Sequence, residues 1–117
     1  MTATDFFIWG FVAHIAADWF LQNEWMALNK VSLRHPAAWV HSGIQFAGAL
    51  FVFPFWVALG LAVSHLLIDT RVPLQWWRKF YGQTTEGAIM IPFALWQDQA
   101  AHILMLAAAA LIAVNCA

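Results

Sequence analysis

Residues 12–22 read VAHIAADWFLQ, a stretch that places three polar side chains in an otherwise apolar run. His14, Asp18 and Gln22 are four residues apart, so on an α-helix they lie above one another on a single face. The remaining surface of this helix is Phe, Trp, Ile, Val, Leu and Ala, which makes it apolar nearly all round. We therefore expect the polar face to point inward, toward other polar groups of the chain.

The composition is that of a membrane protein. Of the 117 residues, 63% are hydrophobic and only 9% are charged, and the mean hydropathy is +0.70; soluble domains carry roughly a quarter charged residues. The length suits one domain, and the net charge of -1 gives no indication of a nucleic-acid partner. The single Cys116 cannot form an intramolecular disulfide. The first apolar run has no basic residues before it, which argues against a cleaved signal peptide.

Four apolar segments predict four transmembrane helices, over residues 6–22, 37–53, 55–70 and 92–114. About 20 apolar residues cross a bilayer, so the run from 37 to 69 is too long for one upright span. Pro54 favours two helices joined by a turn, and one steeply tilted helix is the alternative. Small residues at 107–110 suit close helix packing. The predicted fold class is a single all-α membrane domain, a compact bundle of four helices.

The basic residues determine the predicted orientation. All five lie in the first or the third connector: Lys30, Arg34, Arg71, Arg78 and Lys79. The positive-inside rule places these connectors in the cytoplasm and both termini on the other side of the membrane. In the connector 71–91, the run WWRK at 76–79 predicts an interfacial segment, with rings at head-group level and cations toward lipid phosphate.

Three of the predicted helices each carry a His/Asp pair four residues apart. The first and third helices read His then Asp, whereas the fourth, which runs antiparallel to them, reads Asp then His. All three pairs therefore place Asp nearer the cytoplasm and His about 6 Å deeper, at 1.5 Å per residue. One more histidine, at the cytoplasmic start of the second helix, enters at the same end. The seven groups expected at one depth are His14, Asp18, His41, His65, Asp69, Asp98 and His102.

Imidazoles and carboxylates together form the ligand set of Zn, Mn or Fe, whereas Cu(I) prefers sulfur. Ionisable groups inside a bilayer are costly and mark functional sites, and pairs of this kind project from facing helices in di-metal bundles. We therefore predict an intramembrane divalent-metal site near the cytoplasmic leaflet. The alternatives are a His/Asp network that only holds the bundle together, a proton path, and a tetrapyrrole site, to which three matched aspartates would add little.

Several polar residues surround the predicted site. Gln22 and Gln99 are candidates to hydrogen-bond the metal ligands, or else are interfacial. Lys30 and Arg71 flank the mouth of the site, where they could hold a phosphate or an anionic head group, or serve only as orientation signals. His35, in a polar connector, is expected to be solvated.

These motifs resemble those of a small family of bacterial and phage integral membrane proteins known as domain of unknown function 3307. The resemblance spans nearly the whole chain and rests on HIAADWFLQ at 14–22, HLLID at 65–69 and DQAAH at 98–102. The connector 70–87 looks shorter than in many relatives, so any soluble lobe that they carry there would be missing. More distantly, the motifs are similar to those of inner-membrane metal-dependent hydrolases. The resemblance implies nine characteristic positions, all present here: His14, Asp18, Gln22, Lys30, His41, His65, Asp69, Asp98 and His102.

The leading functional hypothesis is a metal-dependent hydrolase, in which the bound ion activates water against a phosphoester or amide of a membrane-associated substrate. The second hypothesis is a non-catalytic accessory or scaffold subunit of a larger membrane complex, favoured by a chain with no soluble lobe and little room for a pocket. The expected partners are membrane lipid and a homo-oligomer or larger membrane complex.

Overall fold

The computed structural model describes residues 1–83 and 87–116; residues 84–86 of the predicted connector lie outside it. The described chain is helical and contains no strand, which confirms the all-α class. The helices are α1 (Ala3–Ile15), α2 (Glu24–Asn29), α3 (Pro36–Leu50), α4 (Phe55–Asp69), α5 (Val72–Tyr81) and α6 (Met90–Cys116), and a π-helical turn (Ala16–Phe20) follows α1 directly.

The first connector is more ordered than the sequence indicated. It contains α2, whose first turn is capped by the Asn23 side chain. The first residue of α3 is Pro36, which lacks an N–H that this position would leave unpaired. His35 caps α3, because its Nδ1 accepts the N–H of Ala37 at 3.0 Å, and its ring lies edge-on to Trp25. His35 is therefore a partly buried cap, and the expectation that it is solvated is wrong.

A break separates α3 from α4. Residues 51–54 lie between the two helices, and α4 begins directly after Pro54. Proline is tolerated just before the first turn of a helix, because its missing N–H removes no helical hydrogen bond there. The two helices pack against each other as a hairpin, and the Ser42 hydroxyl donates to the carbonyl of Ala62 across them at 2.8 Å. The chain therefore has two helices here rather than one long tilted helix.

The apolar core lies where α1, α4 and α6 meet the α3–α4 turn. Phe6 and Phe53 stack at its centre with ring centroids 5.8 Å apart. Gly10 permits this approach, because a Cβ there would lie 2.7 Å from the Phe53 ring. The sequence predicted that the small residues 107–110 pack closely, but Ala108 is exposed. The residues of α6 that pack inward are instead spaced three or four apart, as expected for one face of a helix. That packed face consists of Leu106, Ala109, Ala110 and Ala113.

Among the described helices, α6 alone is long and apolar enough to cross a membrane by itself. Helices α4 and α5 would pass the same test together, but they are bent by 65° at the break between them. At 15 residues each, α3 and α4 are about 22 Å long, short of a hydrocarbon core of about 30 Å. Large apolar side chains are exposed along several helices, for example Trp9, Trp56 and Leu104.

Candidate metal centre

The π-helical turn after α1 positions Asp18. Leu21 donates its N–H to the carbonyl of Ala16, five residues earlier, at 3.0 Å, and such single π turns recur at functional sites. Asp18 remains beside His14, with 3.4 Å between Oδ2 and Nε2. The helix ends at Phe20, so Gln22 does not continue the predicted polar face; its side chain donates to the backbone carbonyl of Asp18 at 3.4 Å.

Asp18 is the first of two carboxylates around which the histidines gather. Its Oδ1 lies 3.0 Å from His41 Nε2 on α3 and 3.4 Å from His65 Nε2 on α4. Gln45, one turn after His41, donates from Nε2 to the same oxygen at 3.0 Å. One buried carboxylate thus connects α3 and α4 to the turn after α1.

Asp69, at the end of α4, is the second of these carboxylates. Its Oδ2 lies 3.0 Å from His65 Nδ1 and 3.5 Å from His41 Nε2, and its Oδ1 lies 3.3 Å from His102 Nε2 on α6. Lys30 Nζ lies 3.7 Å from Oδ1. Because His41 and His65 face both carboxylates, the two groups form one cluster.

The structure therefore brings all seven predicted ligands together. The seventh, Asp98, lies at the edge of the cluster, with Oδ2 3.6 Å from His102 Nε2 and 20% of its side chain exposed. The other six are buried, His41 most deeply at 1% exposed. The rings of His65 and His102 stack with centroids 4.1 Å apart, and His14 lies within 5.4 Å of both.

The ring nitrogens of this cluster lack hydrogen-bond partners. Among the described residues, six imidazole nitrogens, contributed by all four histidines, are buried without one, although a carboxylate oxygen lies 3.0–3.4 Å from five of them. An imidazole N–H forms a hydrogen bond only when its hydrogen points toward the acceptor oxygen. Each buried polar atom that is left without a hydrogen bond costs about 1–3 kcal/mol of stability. Ligand atoms around a tetrahedral ion with bonds of about 2.1 Å lie roughly 3.4 Å apart, so these spacings fit a cation between them.

Three overlapping groups in the cluster could each hold a metal ion, since their ligand atoms lie within 4.8 Å of one another. His65 and Asp69 each belong to two groups, so the centre has room for one ion or for two adjacent ions. Nitrogen and carboxylate oxygen donors suit Zn, Mn or Fe. The groups are His14–Asp18–His65, His41–His65–Asp69 and Asp69–Asp98–His102.

A cavity of about 400 Å³ adjoins the carboxylate side of this centre. Asp18, Asp69 and Asp98 all line it, whereas the imidazoles of His14 and His65 line a separate space of about 30 Å³ that faces the apolar core. The three aspartates thus share one cavity, and of these only Asp98 is substantially exposed. The expectation that the chain has little room for a pocket is wrong, because small-molecule sites begin at about 300 Å³.

Polar residues around the centre divide into those that the sequence indicated and those that it missed. Gln99 contacts Asp98, with Nε2 3.3 Å from Oδ2, and Lys30 and Arg71 line the cavity. Gln45 was missed, although it stands four residues after His41, the same spacing as in the His/Asp pairs.

The expected position of Arg78 at the membrane surface is wrong. The sequence placed its cation toward lipid phosphate at the surface, yet the residue is only 3% exposed. Its Nη1 donates to Gln97 Oε1 at 2.8 Å, and Gln97 in turn donates to Gln83. Arg78 therefore ties α5 to α6 inside the protein, while Trp76 and Phe80 on the same helix remain exposed.

Fold and site together define a small all-helical chain with a buried His/Asp cluster that could hold metal and that adjoins a cavity. The chain belongs to the family described as Protein of unknown function (DUF3307), which matches residues 6–117. This confirms the family indicated by the sequence motifs. No curated protein and no solved structure matches the chain.

Proposed function

We propose that this chain is an integral membrane protein that binds one or two divalent metal ions at the His/Asp cluster and hydrolyses a membrane-associated substrate there. The observation that carries the proposal is the set of six buried imidazole nitrogens without hydrogen-bond partners, beside three carboxylates that line one cavity. A bound Zn, Mn or Fe ion would supply Lewis acidity and lower the pKa of bound water.

The membrane arrangement in this proposal has four helical segments in a bacterial inner membrane, with the basic connectors on the cytoplasmic side and both termini on the other side. α6 supports it by length and composition. Ala3–Phe20, which is α1 together with its π turn, adds a rod of about 27 Å. Exposed apolar side chains on α3 and α4 also support it, because extended apolar surface of this kind is unusual on a soluble monomer.

The cavity favours a hydrolase over a network that only holds helices together. A packing network gains stability when its hydrogen bonds are complete, and here the imidazole nitrogens are unpaired. A hydrolytic centre also needs access for water and substrate, which the cavity provides along Asp18, Asp69 and Asp98. Asp98, at the edge of the cluster, is the most accessible of the three.

Metal analysis of the protein purified in mild detergent tests the proposal. We expect at least about one equivalent of divalent metal per chain, and loss of most of it in His65→Ala, because His65 belongs to two of the three groups. Ser42→Ala is the matched control: it removes a buried hydrogen bond from α3 without touching the cluster, and should keep its metal.

Two results would contradict the proposal. One is wild-type protein with much less than about one equivalent; the other is equal metal content in wild type and His65→Ala. Metal-free protein that co-purifies stably with other membrane proteins would instead support the accessory-subunit hypothesis.

A further inference from the structure

The cavity beside the His/Asp cluster has one charged wall and one apolar wall. The charged wall combines the three carboxylates of the cluster with basic side chains. The apolar wall comes from the π turn, α5 and the first turns of α6, and includes Trp19, Leu74, Ile91 and Leu95. A ligand that contacts both walls has a charged group and an apolar part, which is the chemistry of an amphiphile.

Three of the five basic residues of the chain line this cavity: Lys30, Arg71 and Arg78. Arg78 is almost fully buried, and its Nε has no hydrogen-bond partner among the described residues. A buried cation with a free N–H is costly unless an anion pairs with it. The planar guanidinium matches the geometry of phosphate oxygens.

Arg71 is held in a backbone conformation that side chains avoid. Its φ of 68° lies in the left-handed region, which is sterically unfavourable for a residue other than glycine. The residue stands at the 65° bend between α4 and α5, two positions after Asp69. Strain of this kind recurs at ligand sites, and here it places a cation at the cavity next to a carboxylate of the cluster.

The charges on the cavity wall identify the kind of head group. Three carboxylates and three cations line it, so the charges of the lining are balanced. One divalent ion at the carboxylates leaves an excess of two positive charges. A phosphate monoester carries about -1.5 to -2 at pH 7 and offsets this excess, whereas an uncharged head group does not.

We propose that this cavity binds the phosphate group of an anionic amphiphile, with Lys30, Arg71 and Arg78 as its cationic partners and the acyl or prenyl chain along the apolar wall. The inference rests on the proposed function, because it makes a lipid-borne phosphate ester the substrate class of the metal centre.

Calorimetric titration of the purified protein in nonionic detergent tests the inference, with three probes. Dioctanoyl phosphatidic acid carries both groups, dioctanoylglycerol lacks the phosphate, and inorganic phosphate lacks the chains. We expect phosphatidic acid to bind, dioctanoylglycerol not to bind, and inorganic phosphate to bind more weakly than the lipid. Equal binding of the two lipids overturns the phosphate site; equal binding of phosphatidic acid and inorganic phosphate overturns the lipid source.

Two variants test the cations. Arg71→Gly removes the charge and is compatible with the left-handed conformation, so we expect it to fold; we expect about a threefold loss of binding for this exposed residue. Lys30→Gln should lose about tenfold, since Lys30 is more buried. Lys79→Gln is the matched control, because it removes an exposed cation of α5 that does not line the cavity.

Equal losses in Lys79→Gln and the two cavity variants would overturn the inference in favour of general charge attraction. Metal content is measured on the same samples, so that the two proposals fail separately. Metal-loaded protein that does not bind phosphatidic acid refutes the cavity inference alone. Metal-free protein that binds it with the predicted variant pattern refutes the proposed metal centre and the charge balance argued from it, and supports a cationic phosphate site that acts without metal.

Discussion

Gln45→Leu removes one hydrogen bond from the cluster without removing a proposed ligand. In the wild type, Gln45 Nε2 donates to Asp18 Oδ1 at 3.0 Å, the oxygen that also faces His41 and His65. Leucine is of similar size, so the change leaves no large cavity, but Asp18 loses the donor that fixes its orientation. We predict that the variant folds and binds metal more weakly.

The size of this effect follows from the kind of hydrogen bond that is lost. A hydrogen bond to a charged acceptor contributes about 1.5–3 kcal/mol, and every 1.4 kcal/mol is tenfold in affinity. The expected loss is therefore about 10-fold to 100-fold in metal affinity, the range found when groups that hydrogen-bond metal ligands are removed.

Competition with a chromophoric chelator in detergent measures the affinity, and circular dichroism checks that the helices are retained. Ser42→Ala, which removes a buried hydrogen bond of the same helix, should bind metal like the wild type. An affinity of Gln45→Leu within about threefold of wild type, or an equal loss in Ser42→Ala, would refute the role assigned to Gln45.

Three further predictions concern stability and the individual ligands. Gly10→Ala should lower stability by about 1–3 kcal/mol in thermal unfolding, because the added methyl meets a buried ring, whereas Gly43→Ala, with open space around it, should be neutral or slightly stabilising. Asp69→Asn should weaken metal binding at least about tenfold more than Asp98→Asn, because Asp69 faces three histidines and Asp98 faces one; equal effects in the chelator assay would contradict this. Chelation should lower the unfolding temperature of the wild type but not of His65→Ala, since only a protein that binds metal is stabilised by it.

The sequence predicted the cluster because three His/Asp pairs share one spacing. Residues four apart stay on one helix face whatever the packing, so His65 and Asp69 had to project together. The same spacing rule fails for Gln22. The local hydrogen-bond pattern after α1 changes from α to π, which period counting does not detect, and the helix ends before Gln22 is reached.

The position of Arg78 was also predicted wrongly from the sequence. In the run WWRK at 76–79 all four residues suit a membrane interface, but helical geometry sends neighbours to different sides. Arg78 therefore faces α6 and pairs with Gln97, while Trp76 points outward. That pairing depends on the 65° bend between α4 and α5, and the bend depends on a left-handed arginine that no residue propensity would predict.

Substitutions on α4 should reduce metal binding more than substitutions of the other proposed ligands. Each of the three groups that could hold metal contains His65, Asp69 or both, so α4 contributes to every one of them. Loss of His14 or Asp98 leaves two groups complete, whereas loss of His65 or Asp69 leaves one. Effects of combined substitutions should therefore be additive between the outer ligands and non-additive within the α4 pair. Loss of His41 also leaves two groups complete, so its effect on metal content should be small. In a site that only held helices together, the substitution of His41 would instead be the most destabilising, because His41 is the most deeply buried of the seven.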